Sequence, residues 1–392
     1  MNPPKPQEFN LDVLAPNGLR RGRTTGTCAT AAVKAALFLL LLGTRKKSVH
    51  VTLPEAAHYL YTDWTGTYYL VVPIEKVTWL DEQNVRAEVL KDAGDDADNT
   101  HGATIFAEIC KNDINQIRFY AGHGVGTVTM PGIRLPVGEP AINPVPRQMM
   151  QRAVAEALTE NDQEDSNTGF DLTIGCENGE ILAQKTFNPR LGILGGISIL
   201  GTSGIVEPMS LASWIAAIEV YVRVALADDA KAVAYLPGKI ARSYIKTVLK
   251  LPTHRVVEVA NFLGDALNFT QKVLNEEQGH LEVLWLAGHP GKLAKVLGGV
   301  WDTHSSKSSM AMNNVAQVAI ELGFTQGLVQ EIQLANTVEA VIQRLSKEPE
   351  AQMLWIEIEQ RIAALAHQRI PSVRRVETRL FDLHGNALGI DA

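Results

Sequence analysis

At 392 residues the chain is longer than one hydrophobic core usually supports, so its length predicts two domains. Its hydrophobic content of 46% with 20% charged residues is ordinary for a globular protein and excludes a disordered or fibrous chain. The formal net charge of −7 provides no overall field that would attract nucleic acid or an anionic membrane.

The N-terminal residues and the cysteines bear on location. MNPPKPQEFN has no apolar core and no small-residue cleavage site, so no secretory signal is expected. Cys28, Cys110 and Cys176 are odd in number, widely separated and without CxxC spacing. This pattern favours free thiols in a reducing cytoplasm, and no metal site is predicted.

The first predicted helix follows a cluster of arginines. In LRRGRTTGTCATAA, Arg20, Arg21 and Arg23 precede threonines and a glycine that open a helix from Cys28 to Leu42. A helix start collects unpaired N–H groups, threonines add hydroxyl donors, and arginine suits carboxylates or phosphates. The pattern predicts an anion site, and a solvated basic loop with a threonine N-cap is an equally good interpretation of this segment alone.

The same helix is strongly apolar. Its run from Ala31 to Gly43 is too short to cross a bilayer and contains Lys34. We therefore expect a buried helix and no membrane association.

The rest of the first half mixes strands with a second helix, predicted from Arg147 to Leu158 after two prolines. The stretch FDLTIGCENGEILAQKTF is predicted to form a hairpin that turns at Glu177, Asn178 and Gly179. KDAGDDADNTHG lacks the glycine and glutamate positions of a calcium loop, so an Asp-rich turn is favoured. AGHGVGTVTMPG lacks the helix and lysine that follow a phosphate loop.

After Glu207 strands and helices alternate. AVAYLP, RVVEVAN and LEVLWLAG are short apolar runs followed by helical segments, with turns near Gly238, Gly264 and Gly288. Such repeated units predict right-handed crossovers and a parallel sheet. Ligands bind at the carboxyl ends of such strands, but no GxGxxG follows the first one, which weakens the case for NAD.

The predicted fold is therefore α/β and α+β in two domains. Residues 1–206 form an α+β domain, and residues 207–392 form a Rossmann-like parallel α/β domain that binds a cofactor. The final segments, RRVETRLFD and LHGNALGI, are predicted to pair as a hairpin.

Polar residues cluster after the third of these strands. GHPGK and WDTHSSKSS place His289, Lys292 and His304 beside small and hydroxyl residues, which suits a ribose or a carboxylate. No order of Ser, His and Asp indicates a hydrolase triad, and no catalytic residue is nominated.

A glycine-rich stretch joins the two halves. NPRLGILGGISILGTSGIVEP, Asn188 to Pro208, carries no charge between Leu191 and Val206. Its glycines permit close approach of the backbone to a ligand and the dihedrals of a curved loop. A buried strand with glycines for tight packing fits any single position equally well.

These motifs, in this order, resemble those of the cobalt-precorrin-5B C1-methyltransferases of anaerobic cobalamin biosynthesis. The resemblance rests on RTTGTCATAA, KDAGDDADNTHG, GHGVGTVTMPG, EPAINPVPRQMM, NPRLGILGGISILGTSGIVEPMS, GHPGKLAKVLGG and DTHSS. It runs from about Thr24 to beyond Ser305. It implies methyl transfer from S-adenosylmethionine to ring carbon C1 of a cobalt-containing corrinoid precursor, which gives cobalt-precorrin-6A.

The resemblance also implies sites. A corrinoid precursor is a broad apolar plate fringed by carboxylates, so a glycine-lined wall with a cationic rim would suit it, and we expect it to lie between the halves. Arg20 and Arg21 are expected to join Arg23 at that rim. The substrate-binding candidates are Arg23, Thr24, Thr25, Gly26, Thr27, Arg190, Gly195, Gly196, Gly201 and Gly204. The cofactor-binding candidates are Gly238, Asn261, Gly288, His289, Gly291, Lys292 and His304.

Two alternatives stay open. The family tends to have a Gly-Asn turn after the first strand of the second half and an acidic residue after the His-Ser pair, whereas this chain has YLPGKIARS and SKSSMAMNN. A tetrapyrrole-binding or channelling protein that has lost turnover would fit those departures. A nucleotide-dependent oxidoreductase would use the same sheet. No nucleic-acid partner is expected, and the sequence leaves homo-oligomerisation open.

Overall fold

The protein has a mixed α/β structure. It is described from a computed structural model over residues 6–55, 67–160, 168–304 and 311–389. The chain forms two compact units, Met1–Ser210 and Leu211–Ala392. Each unit has its own hydrophobic core.

The first unit contains three α-helices and fourteen strands among its described residues. The helices are α1 (Thr25–Leu42), α2 (Pro144–Thr159) and α3 (Gly179–Ala183). The strands are β1 (Gln7–Glu8), β2 (Gly22–Arg23), β3 (Ser48–Thr52), β4 (Tyr68–Pro73), β5 (Lys76–Trp79), β6 (Val85–Leu90), β7 (Thr104–Asn112), β8 (Ile117–Ala121), β9 (Gly124–Val125), β10 (Thr127–Val128), β11 (Gly169–Cys176), β12 (Ile193–Leu194), β13 (Gly196–Ile197) and β14 (Ile205–Val206).

Helix α1 is the centre of this unit. It packs on β6 and β7 of a five-stranded sheet with the order β5-β6-β7-β11-β8, and α2 packs beside it. The helix ends at Gly43, whose left-handed conformation lets its N–H reach the carbonyl of Leu39. Among the described residues α1 is the one helix whose length and composition would allow a membrane span, but 83% of it is buried inside the protein. The predicted buried helix is therefore confirmed.

The buried helix carries a charge in its interior. Lys34 is 4% exposed, and its Nζ lies 2.8 Å from Oε2 of Glu156 on α2. The other oxygen of that carboxylate accepts a hydrogen bond from the hydroxyl of Thr52. A buried charge needs such partners, and here they tie α1, α2 and β3 together.

The hairpin predicted around Glu177 is wrong. β11 ends at Cys176, and the chain continues into the short helix α3. Asn178 adopts the left-handed conformation with φ 56°, which asparagine tolerates both in hairpin turns and at helix starts. The following GEILA has good helix formers, and they give the helix rather than a return strand.

The second unit contains eight α-helices and four strands among its described residues. The helices are α4 (Leu211–Leu226), α5 (Arg242–Thr247), α6 (Leu263–Glu276), α7 (Pro290–Leu293), α8 (Met312–Glu321), α9 (Gln326–Leu334), α10 (Val338–Leu345) and α11 (Ala351–Arg369). The strands are β15 (Ala232–Leu236), β16 (Val256–Glu258), β17 (Leu281–Gly288) and β18 (Val373–Leu380).

These four strands form one parallel sheet with the order β16-β15-β17-β18. The three strands predicted after Glu207 are all present and pair in parallel. The chain leaves β15 toward β16 on one side and returns to β17 on the other, so the strand order reverses between β15 and β17. Such a reversal opens a crevice at the carboxyl ends of the strands, where ligands of parallel sheets bind.

The terminal hairpin predicted for RRVETRLFD is wrong in its main part. Val373–Leu380 joins the sheet as its fourth parallel strand, and a single bridge between Phe381 and Ala387 closes the turn that follows. The reason is burial, because Val373, Val376 and Leu380 belong to the large hydrophobic core of this unit.

Candidate functional site

The glycine-rich segment of the first unit is neither one buried strand nor one loop. A short 3₁₀ helix, Asn188–Leu191, begins it, and three two-residue strands follow. β12 pairs with β10, β13 pairs with β9, and β14 pairs with β2 beside the arginines. The segment therefore joins the GHGVGTV motif to the start of α1.

Glycines in this segment allow close contact with other parts of the protein. A Cβ on Gly196 would lie 2.1 Å from the carbonyl oxygen of Gly124, and a Cβ on Gly201 would lie 2.4 Å from Oγ1 of Thr24. Gly204, with φ +80°, would place a Cβ 2.7 Å from a leucine side chain. At these three positions the tight packing is internal to the unit.

The outer side of the segment is different. Gly195 has φ +86° and is exposed, and nothing lies within 4 Å of where its Cβ would be. Leu194 and Leu200 are 53% and 49% exposed. The Arg190 guanidinium lies 5.5 Å from the ring centre of Phe187. These residues offer backbone, exposed apolar side chains and one cation, a combination that suits a flat apolar ligand with acidic edges.

Threonine hydroxyls at the start of α1 hold the neighbouring loop. The hydroxyl of Thr25 accepts from the N–H of Leu200 at 2.9 Å and lies 3.2 Å from its carbonyl oxygen. The hydroxyl of Thr27 donates to the carbonyl of Gly204 at 2.6 Å. The N–H of Gly26 donates to the carbonyl of Leu200 at 3.0 Å. These donors are bonded within the protein.

Thr24 completes this arrangement as the N-cap. Its Oγ1 accepts from the N–H of Thr27 at 3.1 Å, and its own N–H donates to the carbonyl of Gly204 at 3.2 Å. Of the two interpretations of this segment, the structure shows the threonine N-cap. The N–H groups of Thr24, Gly26 and Thr27, which were predicted to meet an anion, meet protein oxygen atoms instead.

The arginines predicted at the rim do not behave alike. Arg20 makes a two-point ion pair with Asp92, with distances of 2.7 and 3.0 Å. Arg21 is 4% exposed, pairs with Glu207 and donates to the carbonyl of Val13. Rim roles for these two are therefore not retained, because Arg21 is buried and the guanidinium of Arg20 is held by both oxygens of Asp92.

Arg23 keeps a free donor. Its Nε is buried and has no hydrogen-bond partner among the described residues, although its side chain is only partly buried. A buried donor without a partner is costly and often marks a place where a ligand binds. Of the three clustered arginines, Arg23 has the arrangement that a carboxylate-bearing substrate would complete.

The Asp-rich motif supports this cluster. Asp92 accepts from Arg20 and from the N–H of Gly94, and Asp95 accepts from the N–H of Arg20 at 2.7 Å. Lys91 is 1% exposed and pairs with Asp98 at 2.6 Å. The motif thus has the Asp-rich turn that was favoured. Within the described residues no group of three His, Cys, Asp or Glu side chains is arranged to hold a metal ion.

The candidates of the second unit lie at the carboxyl ends of its strands. Lys292 donates to the carbonyl of Pro237, just after β15, at 2.8 Å, and lies 3.5 Å from the carbonyl of Ala260, just after β16. Burial, aided by the charge of Lys295, lowers the pKa of Lys292. A Cβ on Gly288 would lie 3.0 Å from Cγ of Pro237, so the ends of β15 and β17 approach closely. The sheet brings these three turns together.

Two residues near these strand ends differ from their neighbours, one by its open surroundings and one by its strained backbone. Gly238 is exposed, and nothing lies within 4 Å of where its Cβ would be. Ala260 has φ 51°, a conformation that costs an alanine about 1 kcal/mol or more. Strain of this kind persists where the surrounding structure fixes it, and it concentrates at functional sites.

The DTH motif lies beside the end of β16. The N–H of Thr303 donates to the carbonyl of Asn261 at 3.0 Å. Thr303 is 2% exposed, and its Oγ1 has no hydrogen-bond partner among the described residues. His304 is exposed. The sequence departure after His304 falls largely on residues 305–310, which lie outside the described residues.

His289 is held on both ring nitrogens. Its Nδ1 accepts from the N–H of Gly291 at 3.0 Å, and its Nε2 lies 3.1 Å from Oε2 of Glu339 on α10. The direct cofactor contact predicted for this ring is therefore corrected, because both nitrogens have protein partners. A Cβ on Gly291 would lie 2.8 Å from Nδ1, which explains the glycine at that position.

Sequence analysis did not single out Glu258. Glu258 is the last residue of β16, which pairs with β15. Its carboxylate forms an ion pair with Arg242. Its side chain keeps 23% exposure. In nucleotide-binding parallel sheets an acidic residue at this position binds ribose hydroxyls, so its place after an apolar run was a usable signal.

Comparisons with known proteins agree along the chain. The CbiD family model matches residues 13–208, and the model of the CbiD C-terminal domain matches residues 302–392. A cobalt-precorrin-5B C(1)-methyltransferase of Ralstonia nicotianae is 58% identical, over 99% of this chain and 98% of that protein. One of Chromobacterium violaceum is 56% identical, over 99% of both.

A solved structure of a cobalamin biosynthesis protein (cbiD) from Archaeoglobus fulgidus is also similar in sequence. It is 26% identical, and the match covers 74% of this chain and 83% of that one. Its TM-score is 0.37, a structural similarity too low to support an argument about fold. Both the family models and the relatives matched over nearly the whole length lead to one conclusion: the chain belongs to the CbiD family.

Proposed function

We propose that this protein is a cytoplasmic, S-adenosylmethionine-dependent methyltransferase. It methylates C1 of cobalt-precorrin-5B and gives cobalt-precorrin-6A in anaerobic cobalamin biosynthesis. The observation that carries the proposal is the 58% identity, over 99% of the chain, to a protein named for this reaction. The corrinoid is the small-molecule partner, and its cobalt belongs to the substrate.

We propose that the second unit, Leu211–Ala392, together with the four residues before it forms a Rossmann-like cofactor domain, residues 207–392. Its parallel strands reverse their order between β15 and β17, and the turns that follow them are where a nucleoside cofactor binds. Glu258 supplies a carboxylate for ribose hydroxyls, and the unpartnered Oγ1 of Thr303 supplies a further polar group. The residues present therefore fit S-adenosylmethionine.

Within that domain the candidates have separate tasks. At Gly238 the space that a side chain would fill is empty, and the cofactor uses this space. Lys292 fixes the ends of β15 and β16 through their carbonyls. Asn261 and His304 flank Thr303, and Gly288 lets two strand ends approach.

The first unit, Met1–Ser210, supports the substrate side that we propose for residues 1–206. The exposed face around Gly195 meets the apolar plate of the corrinoid, and Arg190 and Arg23 bind its carboxylates. Gly196, Gly201, Gly204 and the threonines at the start of α1 hold this face in shape rather than contact the ring.

The chemistry asks mainly for alignment. The sulfonium methyl of the cofactor is itself a good electrophile, so the bond to C1 forms as the bond to sulfur breaks. Positioning of the two reactants can supply about 7 to 11 kcal/mol of the barrier. The residues described here bind and orient, and no side chain is proposed as a nucleophile or general base.

A labelled methyl group tests the proposal. Purified protein is incubated with cobalt-precorrin-5B and S-adenosylmethionine carrying a ¹³C methyl, and the ring product is examined by mass spectrometry and NMR. One labelled methyl at C1 is expected. Binding of the corrinoid without transfer would favour the channelling alternative, and absence of binding to both ligands would refute the proposal.

A further inference from the structure

The turn after β17 depends on one histidine. His289 is the N-cap of α7, and its Nδ1 accepts the N–H of Gly291. A ring nitrogen that accepts a hydrogen bond carries no proton. The neutral ring therefore carries its proton on Nε2, which lies 3.1 Å from Oε2 of Glu339.

The carboxylate of Glu339 accepts the hydrogen bond that this Nε2–H donates. Glu339 lies on α10, and its side chain is 14% exposed. The same Oε2 that faces His289 also accepts from the N–H of Leu383 at 3.3 Å. The carboxylate thus connects the turn after β17 with the turn after β18.

The tautomer of His289 affects the strand ends through the residues that follow it in the turn. His289 is followed by Gly291 and Lys292, and Lys292 holds the carbonyl of Pro237 after β15. If the ring of His289 took the other tautomer, its Nδ1–H would face the N–H of Gly291, and the turn would have to open. Lys292 would then lose its present position.

We propose that Glu339 is a positioning residue for the cofactor site. It fixes His289 in the Nε2–H tautomer and so holds the turn at 289–292 in the shape that binds the cofactor. The proposal rests on the proposed function for its cofactor, but the tautomer can be measured without any ligand.

The experiment uses the full-length chain and two variants of one residue. Glu339→Gln keeps an oxygen that can accept from Nε2–H, whereas Glu339→Leu removes it. Ring ¹⁵N NMR, with the His289 signal assigned by its loss in His289→Asn, reports the tautomer. Calorimetry with S-adenosylmethionine reports the dissociation constant, and circular dichroism shows that each variant is folded.

The unaltered protein and Glu339→Gln are expected to show the Nε2–H tautomer and similar cofactor affinity. Glu339→Leu is expected to show a mixture of tautomers and about tenfold weaker binding, the effect of losing one hydrogen bond to a charged group. Glu331→Leu is the matched control, because Glu331 is half exposed on α9 and pairs with Arg344. Its affinity should not change.

Two results would overturn the inference. One is an Nδ1–H ring in the unaltered protein, which needs no variant to fold. The other is a folded Glu339→Leu protein that either keeps the Nε2–H tautomer or binds the cofactor with normal affinity. Failure of the unaltered protein to bind S-adenosylmethionine would instead contradict the proposed function, whatever the tautomer.

Discussion

The glycine-rich segment of the first unit and the strand ends of the second unit use the same kinds of residues differently. At Gly196 and Gly201 a side chain would collide with the protein, whereas at Gly238 it would meet nothing. The hydroxyls of the threonines at the start of α1 form hydrogen bonds with backbone groups. In contrast, Oγ1 of Thr303 has no hydrogen-bond partner among the described residues. The content of glycines and hydroxyl residues alone therefore does not show whether a segment stabilises the fold or is available to bind a ligand.

The difference predicts two kinds of variant. Changes in the inner side of the glycine-rich segment should lower stability, because its groups are bonded to one another. Changes at the strand ends should weaken cofactor binding with little effect on stability. The following variants, from the largest expected effect to the smallest, would sharpen or break this division.

The largest effect is expected at Gly196. Gly196→Ala would put a Cβ 2.1 Å from the carbonyl oxygen of Gly124, so backbone must move, and the loss should be about 3 kcal/mol or more. Gly195→Ala has open space and should cost only about 1–2 kcal/mol for its positive φ. Urea denaturation of the two variants measures both values. Equal losses would break the distinction between the inner and outer sides.

Thr25 should follow. Thr25→Val keeps the shape but leaves the N–H of Leu200 without its hydroxyl partner, so we expect a loss of about 2 kcal/mol. Thr202→Val is the control, because Thr202 is exposed on the same loop. Denaturation midpoints measure the difference. A stable Thr25→Val protein with weak corrinoid binding would show that this hydroxyl serves the ligand directly.

Glu258 tests the other region. Glu258→Gln should weaken binding of S-adenosylmethionine by about tenfold, because a charged acceptor for the ribose is lost, with a small change in stability. Glu282→Gln provides the control, because Glu282 lies near the amino end of β17 and pairs with Arg374 away from the carboxyl ends of the strands. Calorimetry measures both. Unchanged affinity in Glu258→Gln would remove the ribose assignment.

Arg23 and Arg21 form a matched pair within one motif. Arg23→Ala removes a guanidinium whose Nε has no described partner, so corrinoid affinity should fall about fivefold to tenfold with little loss of stability. Arg21→Ala leaves Glu207 without its ion pair and should lower stability instead. Fluorescence titration and denaturation separate the two outcomes. Full corrinoid affinity in Arg23→Ala would exclude it from the site.

The sequence was sufficient for the elements whose signal is local. The three strands after Glu207 are short apolar runs, and all three are present, although Gly264 lies in the first turn of α6 rather than in the turn after β16. β18 was mistaken for half of a hairpin that it would form with the segment directly after it in the sequence. Its actual partner, β17, lies far away in the sequence, and no local pattern reports that pairing.

The candidate site shows the same limit. The motif at the start of α1 predicts a helix start with many hydrogen-bond donors. The carbonyls of Leu200 and Gly204 that accept from these donors belong to a loop that is distant in the sequence. The ring of His289 looked free because Glu339 lies on a helix that was not predicted. Spacing identifies which residues carry polar groups, and only the fold shows which groups are already used.

The smallest effect is expected from the charge of Asp92, which holds the arginine motif. The hydrogen bond from Arg20 is the main cause that lowers the pKa of Asp92 to about 2. Because this folded-state pKa is depressed, the pair stabilises the fold above about pH 4, and the contribution is lost as the pH falls toward about 2. The two side chains are 41% and 32% exposed, so solvent screening leaves about 1 kcal/mol or less. Asp92→Asn should therefore lower the free energy of unfolding near neutral pH and converge with the unaltered protein in acid.

Denaturation at both pH values measures this change in stability, with the exposed Asp113→Asn as the control. A difference that persists unchanged in acid would mean that Asp92 acts through the shape of its turn rather than through its charge.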